Sequence, residues 1–403
     1  MSSPDERVPH APLLPVFLIV LVDVFGMTLV IPLLAIYAES FNATPLQATL
    51  LVSVYAACQL ISGPLIGHAS DRTGRKPMLI FSQVGTFLGF LVLGRATALW
   101  MVYVSRIIDG ATAGNLSLAQ AYIADNTAPE NRARSFGLIG IAFGLGFFIG
   151  PSLTGYLSAR FGLRAPIYLA AVMSATSILC TALLLPGGNR PTEPARDRWA
   201  ALKIATYAQY FARPGLRGRL LQFLFFMLSF SMFISGFALF AERRFTWEGH
   251  AFGPREIGYV FGFVGLLGII LQGGFIGRLV KTFGEARLVV AGFFSLVVGY
   301  SILGLTASIA VLLLSSAIGG FGNGVLRPAL TSLITRYAGR HEQGVVLGIT
   351  QSLTSVASII APFVAGWLIM QQQLTLWACL AGALALCGAL LSLSAPSAEE
   401  ATV

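Results

Sequence analysis

Twelve long apolar runs divide this chain, and they restrict its possible folds more than any other feature of the sequence. A helix needs about 20 predominantly apolar residues to cross a bilayer. Only 11% of the residues are charged, against about 25% in soluble domains. The sequence therefore predicts an all-α membrane protein with twelve transmembrane helices. The runs are 12–37, 47–69, 77–95, 98–124, 134–158, 164–186, 218–241, 255–280, 286–306, 308–335, 343–369 and 373–395.

Basic residues between the runs fall mostly on one side of the predicted membrane. The side that holds both termini carries 18 of the 26 Lys and Arg residues, and the opposite side carries six. Loops rich in Lys and Arg stay in the cytoplasm, which predicts that both termini are cytoplasmic. Because the basic residues are spread over these loops, the net charge of +9 reflects topology, and no nucleic-acid partner is expected.

The two halves of the chain repeat each other. Two glycines seven residues apart enclose a polar loop at 67–74, and a second pair encloses a similar loop at 277–284. Pro151 also matches Pro362 at an offset of 211 residues. We therefore predict two pseudo-symmetric six-helix bundles, residues 1–186 and 218–403, joined by a basic cytoplasmic linker at 187–217.

The polar loop between the second and third runs concentrates charge next to a predicted membrane boundary. Its glycines permit a tight turn, and Arg75 is a plausible partner for Asp125 at the end of the fourth run. We predict a cytoplasmic gate here; the alternative is a solvated loop without a role in coupling, since exposed ion pairs contribute little. The gate residues are Gly67, Asp71, Arg72, Gly74, Arg75, Lys76 and Asp125.

Three ionisable residues lie inside apolar runs of the first half. Asp23 lies about 15 Å into the first run, and a charge near the bilayer centre costs about 2.5–3.5 kcal/mol. Arg106 and Asp109 are three residues apart in the fourth run, so they share a helical face. Either they form a static pair while Asp23 bonds a neighbouring helix, or Asp23 and Asp109 share Arg106 and release it when one takes up a proton. The second interpretation predicts a proton-coupling site.

The fifth run repeats glycine on one helical face. Gly146, Gly150 and Gly155 allow close helix packing, and Pro151 can bend the helix. We interpret this segment as a hinge, with generic close packing as the alternative.

Candidates for a substrate cavity lie in the second half. Arg327 lies about 13 Å from the end of its run. It either snorkels to the membrane surface or faces the cavity and meets an anionic group of the substrate. Gln222, Asn323 and Gln351 are candidates for the same wall.

The loop and the fifth run together suggest a family. The loop 67–76 resembles the signature G-x-L-A-D-R-x-G-R-K of the major facilitator superfamily. The fifth run resembles the G-P-x-x-G-G signature of its antiporters, with Thr154 at the first of the final glycines. Nearly the whole chain resembles the tetracycline–proton antiporter branch of the drug exporters. That branch carries carboxylates in its third and ninth spans, where this chain has Gly89 and Leu296, and Asp109 stands where Gln is usual.

The resemblance implies a specific function. We expect a monomeric transporter of the bacterial inner membrane that exports amphipathic small molecules, tetracycline-like or multidrug, in exchange for protons by alternating access. Its partners would be the substrate, protons and membrane lipid, with a proton gradient in place of a cofactor. A metabolite exporter or proton symporter on the same fold, and an uncoupled membrane sensor or scaffold, are the alternatives. No enzyme is predicted, because no nucleophile–base set, metal-ligand spacing or phosphate loop stands out.

Overall fold

The computed structural model describes residues 13–126, 129–186, 204–337 and 342–393, and they are almost entirely helical. The first half contains α1 (Leu13–Glu39), α2 (Pro45–Thr73), α3 (Arg75–Gly94), α4 (Leu99–Ala111), α5 (Asn115–Asn126), α6 (Pro129–Phe161) and α7 (Arg164–Leu184), and α8 (Ile204–Phe211) follows. The second half contains α9 (Pro214–Arg244), the strands β1 (Thr246–Trp247) and β2 (His250–Ala251), α10 (Pro254–Ile270), α11 (Ile276–Phe283), α12 (Glu285–Leu305), α13 (Ile309–Arg336), α14 (Gln343–Met370) and α15 (Leu374–Leu393).

The predicted membrane-crossing segments are confirmed, with two irregularities. Among the described residues, eleven helices are long and apolar enough to cross a membrane. The fourth run is instead a pair of shorter helices, α4 and α5. The eighth run crosses as α10 and α11 joined by a π-helical turn, Leu271–Phe275, at the adjacent glycines Gly273 and Gly274. Such turns insert one residue into an α-helix and often occur at functional sites.

Capping side chains and glycines with positive φ fix where the helices begin and end. Thr44 and Gln47 form a reciprocal cap at the start of α2, in which the Thr44 N–H donates to Gln47 Oε1 (2.9 Å) and the Gln47 N–H donates to Thr44 Oγ1 (3.3 Å). Gly74 separates α2 from α3 with a φ of 101°, a left-handed value that favours glycine. Its counterpart in the repeat, Gly284, has a φ of 76°. We call the end of the molecule that holds these two glycines the motif end, and the opposite end the hairpin end.

The break between α4 and α5 is stabilised by a side chain of α3. The Ser82 hydroxyl donates to the carbonyl oxygen of Thr112 and accepts from the N–H of Gly114 (2.8 Å). Thr112 Oγ1 donates to the carbonyl oxygen of Ile108 (2.8 Å). Irregular backbone within a membrane persists only where the protein supplies such partners. The break therefore depends on Ser82.

The two halves pack closely at the hairpin end. Helix α6 lies against α10, and a Cβ atom at Gly258 would lie only 2.5 Å from the carbonyl oxygen of Pro151, so only glycine fits this approach. Helix α2 lies against α14, where Ser53 Oγ donates to the carbonyl oxygen of Ile359 (2.8 Å). Both contacts join a helix of the first half to a helix of the second half.

An ion pair also joins the halves at the hairpin end. Arg243, at the end of α9, contacts Glu39, at the end of α1, with 2.5 Å between Nη2 and Oε1. The same guanidinium contacts Glu242 Oε2 at 3.2 Å. Both partners of the Glu39–Arg243 pair are mostly buried, with side-chain exposures of 18% and 22%. The pair therefore contributes to closure of the hairpin end.

Packing is looser towards the motif end. Added Cβ atoms at Gly268, Gly273 and Gly274 would meet no atom of a neighbouring element within 4 Å. Gln351 of α14 and Ile61 of α2 are exposed, although the same two helices touch each other further along. The helices that join the halves thus separate towards this end.

Ser82→Ala is expected to destabilise the helix break. The substitution leaves the Thr112 carbonyl and the Gly114 N–H without their partner, and an unsatisfied buried group costs about 1–3 kcal/mol. The midpoint of thermal unfolding in detergent should fall by several degrees. Ser392→Ala is the control, because among the described residues the Ser392 hydroxyl bonds only the Gly388 carbonyl of its own helix. Equal midpoints for the two variants would contradict the role of Ser82.

Arg243→Gln is expected to open the hairpin end. A partly exposed ion pair contributes about 0.5–1 kcal/mol, so the open fraction should rise by about two- to five-fold. Spin labels at Thr97 and Ser308, exposed loop positions of the two halves, would report the distance distribution in a background without the four native cysteines. Arg213→Gln is the control, because its pair with Glu342 (2.7 Å) joins the residue before α9 to the residue before α14 at the motif end. An unchanged distribution in Arg243→Gln would contradict a role of the Glu39–Arg243 pair in closing the hairpin end.

Candidate functional site

A buried ion pair lies in the interior of the first half. Arg106 and Asp109 are 6% and 7% exposed, and Arg106 Nη1 lies 3.2 Å from Asp109 Oδ2. The guanidinium also lies near the ring of Phe90, 5.9 Å from its centroid. Its Nη2 is buried without a hydrogen-bond partner in the described part of the chain. One face of the arginine is therefore neutralised and the other is not.

Asp23 adds a second carboxylate to this pair. It lies on α1, is partly buried, and has Asp109 and Asn115 as polar neighbours. Its Oδ1 is buried, and no described residue bonds it. No ion pair joins Asp23 to Arg106 among the residues that the structure covers. The cluster thus holds two carboxylates and one guanidinium. Of the two contacts predicted for Arg106, the one with Asp109 is present, and the one with Asp23 stays a prediction.

Four polar neighbours of this cluster were not predicted from the sequence. Tyr55 of α2 lies near Asp109, Arg106 and Asp23, and its hydroxyl accepts from Gln59 Nε2 (3.3 Å). Asn115 begins α5 directly after the helix break and donates to Thr86 Oγ1 (3.5 Å). The sequence signal for these neighbours is the presence of amide and hydroxyl groups inside apolar runs. It does not show which groups meet, because that depends on tertiary packing and, for Asn115, on the break between α4 and α5.

Gly89 of α3 lies directly against Asp109. A Cβ atom at Gly89 would lie 3.2 Å from the Cβ atom of Asp109 and 3.1 Å from the carbonyl oxygen of Ser105. The Asp109 side chain therefore occupies the space next to α3 that a larger residue at position 89 would fill.

The predicted gate residues are organised within the first half. Arg75 Nη1 contacts Asp71 Oδ1 at 2.5 Å and donates to Ser70 Oγ (3.0 Å). Lys76 donates to the carbonyl oxygens of Ala182 (2.8 Å) and Leu185 (2.7 Å), which ties the loop to the end of α7.

The other members of the predicted gate differ in their surroundings. Gly67 is buried and Arg72 is exposed. The side chain of Asp125 lies outside the described residues, so its predicted pairing with Arg75 stays a prediction.

The predicted hinge glycines face two different helices. Added Cβ atoms at Gly146 and Gly150 would collide with Val24 and Thr28 of α1, and one at Gly155 would lie 2.9 Å from the Cα atom of Arg255. Helix α6 runs without interruption through Pro151. This face therefore serves close packing, and bending at Pro151 stays a prediction.

The predicted cavity residues of the second half separate into two groups. Arg327 and Gln351 are exposed, and Asn323 donates to the Tyr300 hydroxyl (3.3 Å) while its Oδ1 is buried without a partner in the described residues. Gln222 is fully buried, and its Oε1 accepts from Arg219 Nη1 (3.1 Å). Its Nε2 is buried without a partner among the described residues, and the place of Gln222 in the cavity wall stays a prediction.

Comparison with known proteins places this geometry in a family. The model of the Major Facilitator Superfamily matches residues 16–306 and 246–402. The chain is 30% identical over 358 residues to the class C tetracycline resistance protein of Escherichia coli, covering 86% of each chain. It is 27% identical over 359 residues to multidrug resistance protein 2 of Bacillus subtilis, covering 87% of this chain and 88% of the relative.

Solved structures show the same fold. The human organic anion transporter MFSD10 (TETRAN) superposes with a TM-score of 0.73 at 24% identity, covering 97% of this chain and all of that one. The peptide transporter POT in complex with sulfate superposes with a TM-score of 0.76 at 18% identity, covering 95% of this chain and 93% of that chain. The resemblance of the sequence to the tetracycline branch is confirmed, and the chain is an integral membrane transporter that belongs to the Major Facilitator Superfamily.

Proposed function

We propose that this transporter exports amphipathic small molecules from the cytoplasm in exchange for protons, by alternating access. The observation that carries the proposal is the cluster of two carboxylates and one guanidinium inside an apolar bundle. A buried charge without a partner is costly, whereas one proton on the cluster makes it neutral. The proton site is therefore built from Asp23, Arg106 and Asp109.

The free atoms of the cluster suggest how a proton changes the bundle. When Asp23 is protonated it needs no cation, and Arg106 stays with Asp109. When the proton leaves, Asp23 becomes an anion in the same cluster as Arg106, whose Nη2 has no hydrogen-bond partner among the described residues. The helix that carries Arg106 is then drawn towards α1, or a cationic group of the substrate takes that place. A ligand that competes with the proton in this way is exchanged for it.

The orientation of the open end supports export. If the excess of basic residues places the motif end in the cytoplasm, closure at the hairpin end by Glu39 and Arg243 seals the outside. The looser packing at Gly268, Gly273 and Gly274 then faces the cytoplasm, from which substrate would enter. The names of the relatives, tetracycline and multidrug resistance proteins, support an amphipathic drug as the substrate.

Asp23→Asn is expected to uncouple transport from protons. Asn cannot release a proton, so tetracycline uptake into everted vesicles driven by an acid interior should be lost, while downhill exchange continues. Glu248→Gln is the control, because this exposed carboxylate lies in the hairpin turn. Gradient-driven uptake at the wild-type rate in Asp23→Asn would remove Asp23 from the mechanism, and uptake driven only by the opposite gradient would indicate a symporter.

A residue swap tests whether Asp109 takes the place of the third-span carboxylate of the tetracycline antiporters. Asp109→Gly alone should abolish gradient-driven uptake, and Gly89→Asp combined with Asp109→Gly should restore part of it. Both positions border the same space, but the Ser105 carbonyl oxygen still lies 3.1 Å from a Cβ atom at position 89. Gly89→Asn with Asp109→Gly is the matched control without an acid. Equal recovery with Asn and Asp, or no recovery in a folded swap variant, would contradict a titrating role for this position.

A further inference from the structure

Arg327 is a cation inside the second half that the proton-coupling cluster does not use. It lies on α13, nine residues before Arg336 and so about 13 Å from the end of the helix. Its side chain is exposed. A charged side chain at this depth costs about 2.5–3.5 kcal/mol unless it meets a partner or water. The surroundings of Arg327 therefore need an explanation.

The helix face that carries Arg327 points towards the eighth span. An added Cβ atom at Gly320 would lie 3.2 Å from Val264, and one at Gly324 would lie 2.7 Å from Leu271. Arg327 is one turn beyond Gly324 on the same face. The π-helical turn of the eighth span begins at Leu271, and its residues 272–275 are exposed. The guanidinium thus lies where α13 and the eighth span separate towards the motif end.

No described residue neutralises Arg327. Its side chain has neither a hydrogen bond nor an ion pair within the part of the chain that the structure covers. The described carboxylates of the second half all lie at its two ends, and each of four has a local partner: Glu242 contacts Arg243, Glu256 accepts from Gly253, Glu285 contacts Arg336, and Glu342 contacts Arg213. The fifth, Glu248, is exposed in the hairpin turn.

A second polar group next to Arg327 also lacks a partner. Asn323 is one turn away on the same side of α13, and its Nδ2 donates to the Tyr300 hydroxyl. That bond holds the amide in place and leaves its Oδ1 buried and unpartnered among the described residues. A guanidinium binds a planar carboxylate through two parallel hydrogen bonds, and the amide oxygen can accept from a protonated group beside it. Arg327 can therefore donate hydrogen bonds and Asn323 can accept one, side by side in an apolar wall.

We propose that Arg327 binds an acidic group of the transported molecule, so that the substrates are amphiphiles carrying a carboxylate or similar acid together with a cationic group. This inference rests on the proposed function, in which a cationic group competes with the proton at Asp23. The first half then supplies the surplus negative charge and the second half the surplus positive charge. A zwitterion neutralises both walls, whereas a simple cation leaves Arg327 unpaired.

Rhodamine B and its ethyl ester form a matched pair of probes. Both contain the same delocalised cation and apolar rings, and only rhodamine B has a carboxylate. Fluorescence anisotropy would measure binding to the purified full-length protein in phosphatidylcholine nanodiscs, without any proton gradient. The wild type should bind the acid about 10- to 100-fold more tightly than the ester, the range that charge-assisted hydrogen bonds contribute.

Variants of Arg327 separate recognition of the acid from general packing. Arg327→Gln should remove the preference for rhodamine B and leave the ester unchanged, and Arg327→Lys should keep part of the preference. Arg336→Gln is the control, because this exposed arginine pairs with Glu285 at the motif end. Equal binding of acid and ester by the wild type, binding of neither, or a parallel loss of both in Arg327→Gln would overturn the proposal.

Two further arms identify what else could occupy Arg327 and keep this inference apart from the proposed function. Nanodiscs with added phosphatidylglycerol test a lipid phosphate: stabilisation by this lipid that Arg327→Gln removes, without a preference for the acid, would overturn the proposal. Asp23→Asn should retain the acid preference at equilibrium while losing gradient-driven uptake. If wild-type uptake ignores the proton gradient but binding still prefers the acid, the proposed function fails and the assignment of Arg327 stands.

Discussion

The organisation of the first half depends on how charges are neutralised inside an apolar bundle. Arg106 and Asp109 neutralise each other at 3.2 Å, and Asp23 brings one more carboxylate than the arginine can balance. Removing one partner of a buried pair costs about 3–5 kcal/mol, so a surplus buried charge destabilises the fold. One proton on the cluster balances the surplus charge. This charge surplus is the physical basis of the two protonation states that we propose for the bundle.

The irregular backbone lies where this charge balance requires polar groups. The fourth span is not one continuous helix: α4 ends before residues 112–114, and α5 begins at Asn115, beside Asp23. Ser82 supplies the hydrogen bonds that make the break tolerable in a membrane. In the second half the irregular segment is the π-helical turn of the eighth span, which lies at the level of Arg327. Each half thus departs from regular helix next to its unbalanced charge.

The sequence predicts most of the fold, because run length and the distribution of basic residues are properties of the chain alone. It does not predict the break in the fourth span, since residues 98–124 form one apolar run and the partner of the broken backbone, Ser82, lies on another helix. For the same reason Tyr55 and Asn115 were not expected near Asp23. The sequence likewise does not predict that Gln222 bonds Arg219, because both side chains become buried only when α9 packs against its neighbours. Local patterns identify the charged residues, and tertiary packing decides which of them meet.

In the proposed exchange, Asp23 and Arg327 also restrict when the motif end can close. Closure removes water from Asp23 and from Arg327, and drying an unpaired ion costs several kcal/mol. An empty, deprotonated carrier would incur both costs, because the two charges lie in different halves and the attraction between unit charges through water is weak, about 0.4 kcal/mol at 10 Å. A proton removes the cost at Asp23, and a zwitterion removes both costs. In the proposed exchange the carrier would therefore close most readily with substrate, less readily with a proton alone, and least readily when empty, which is the order that exchange without leakage requires.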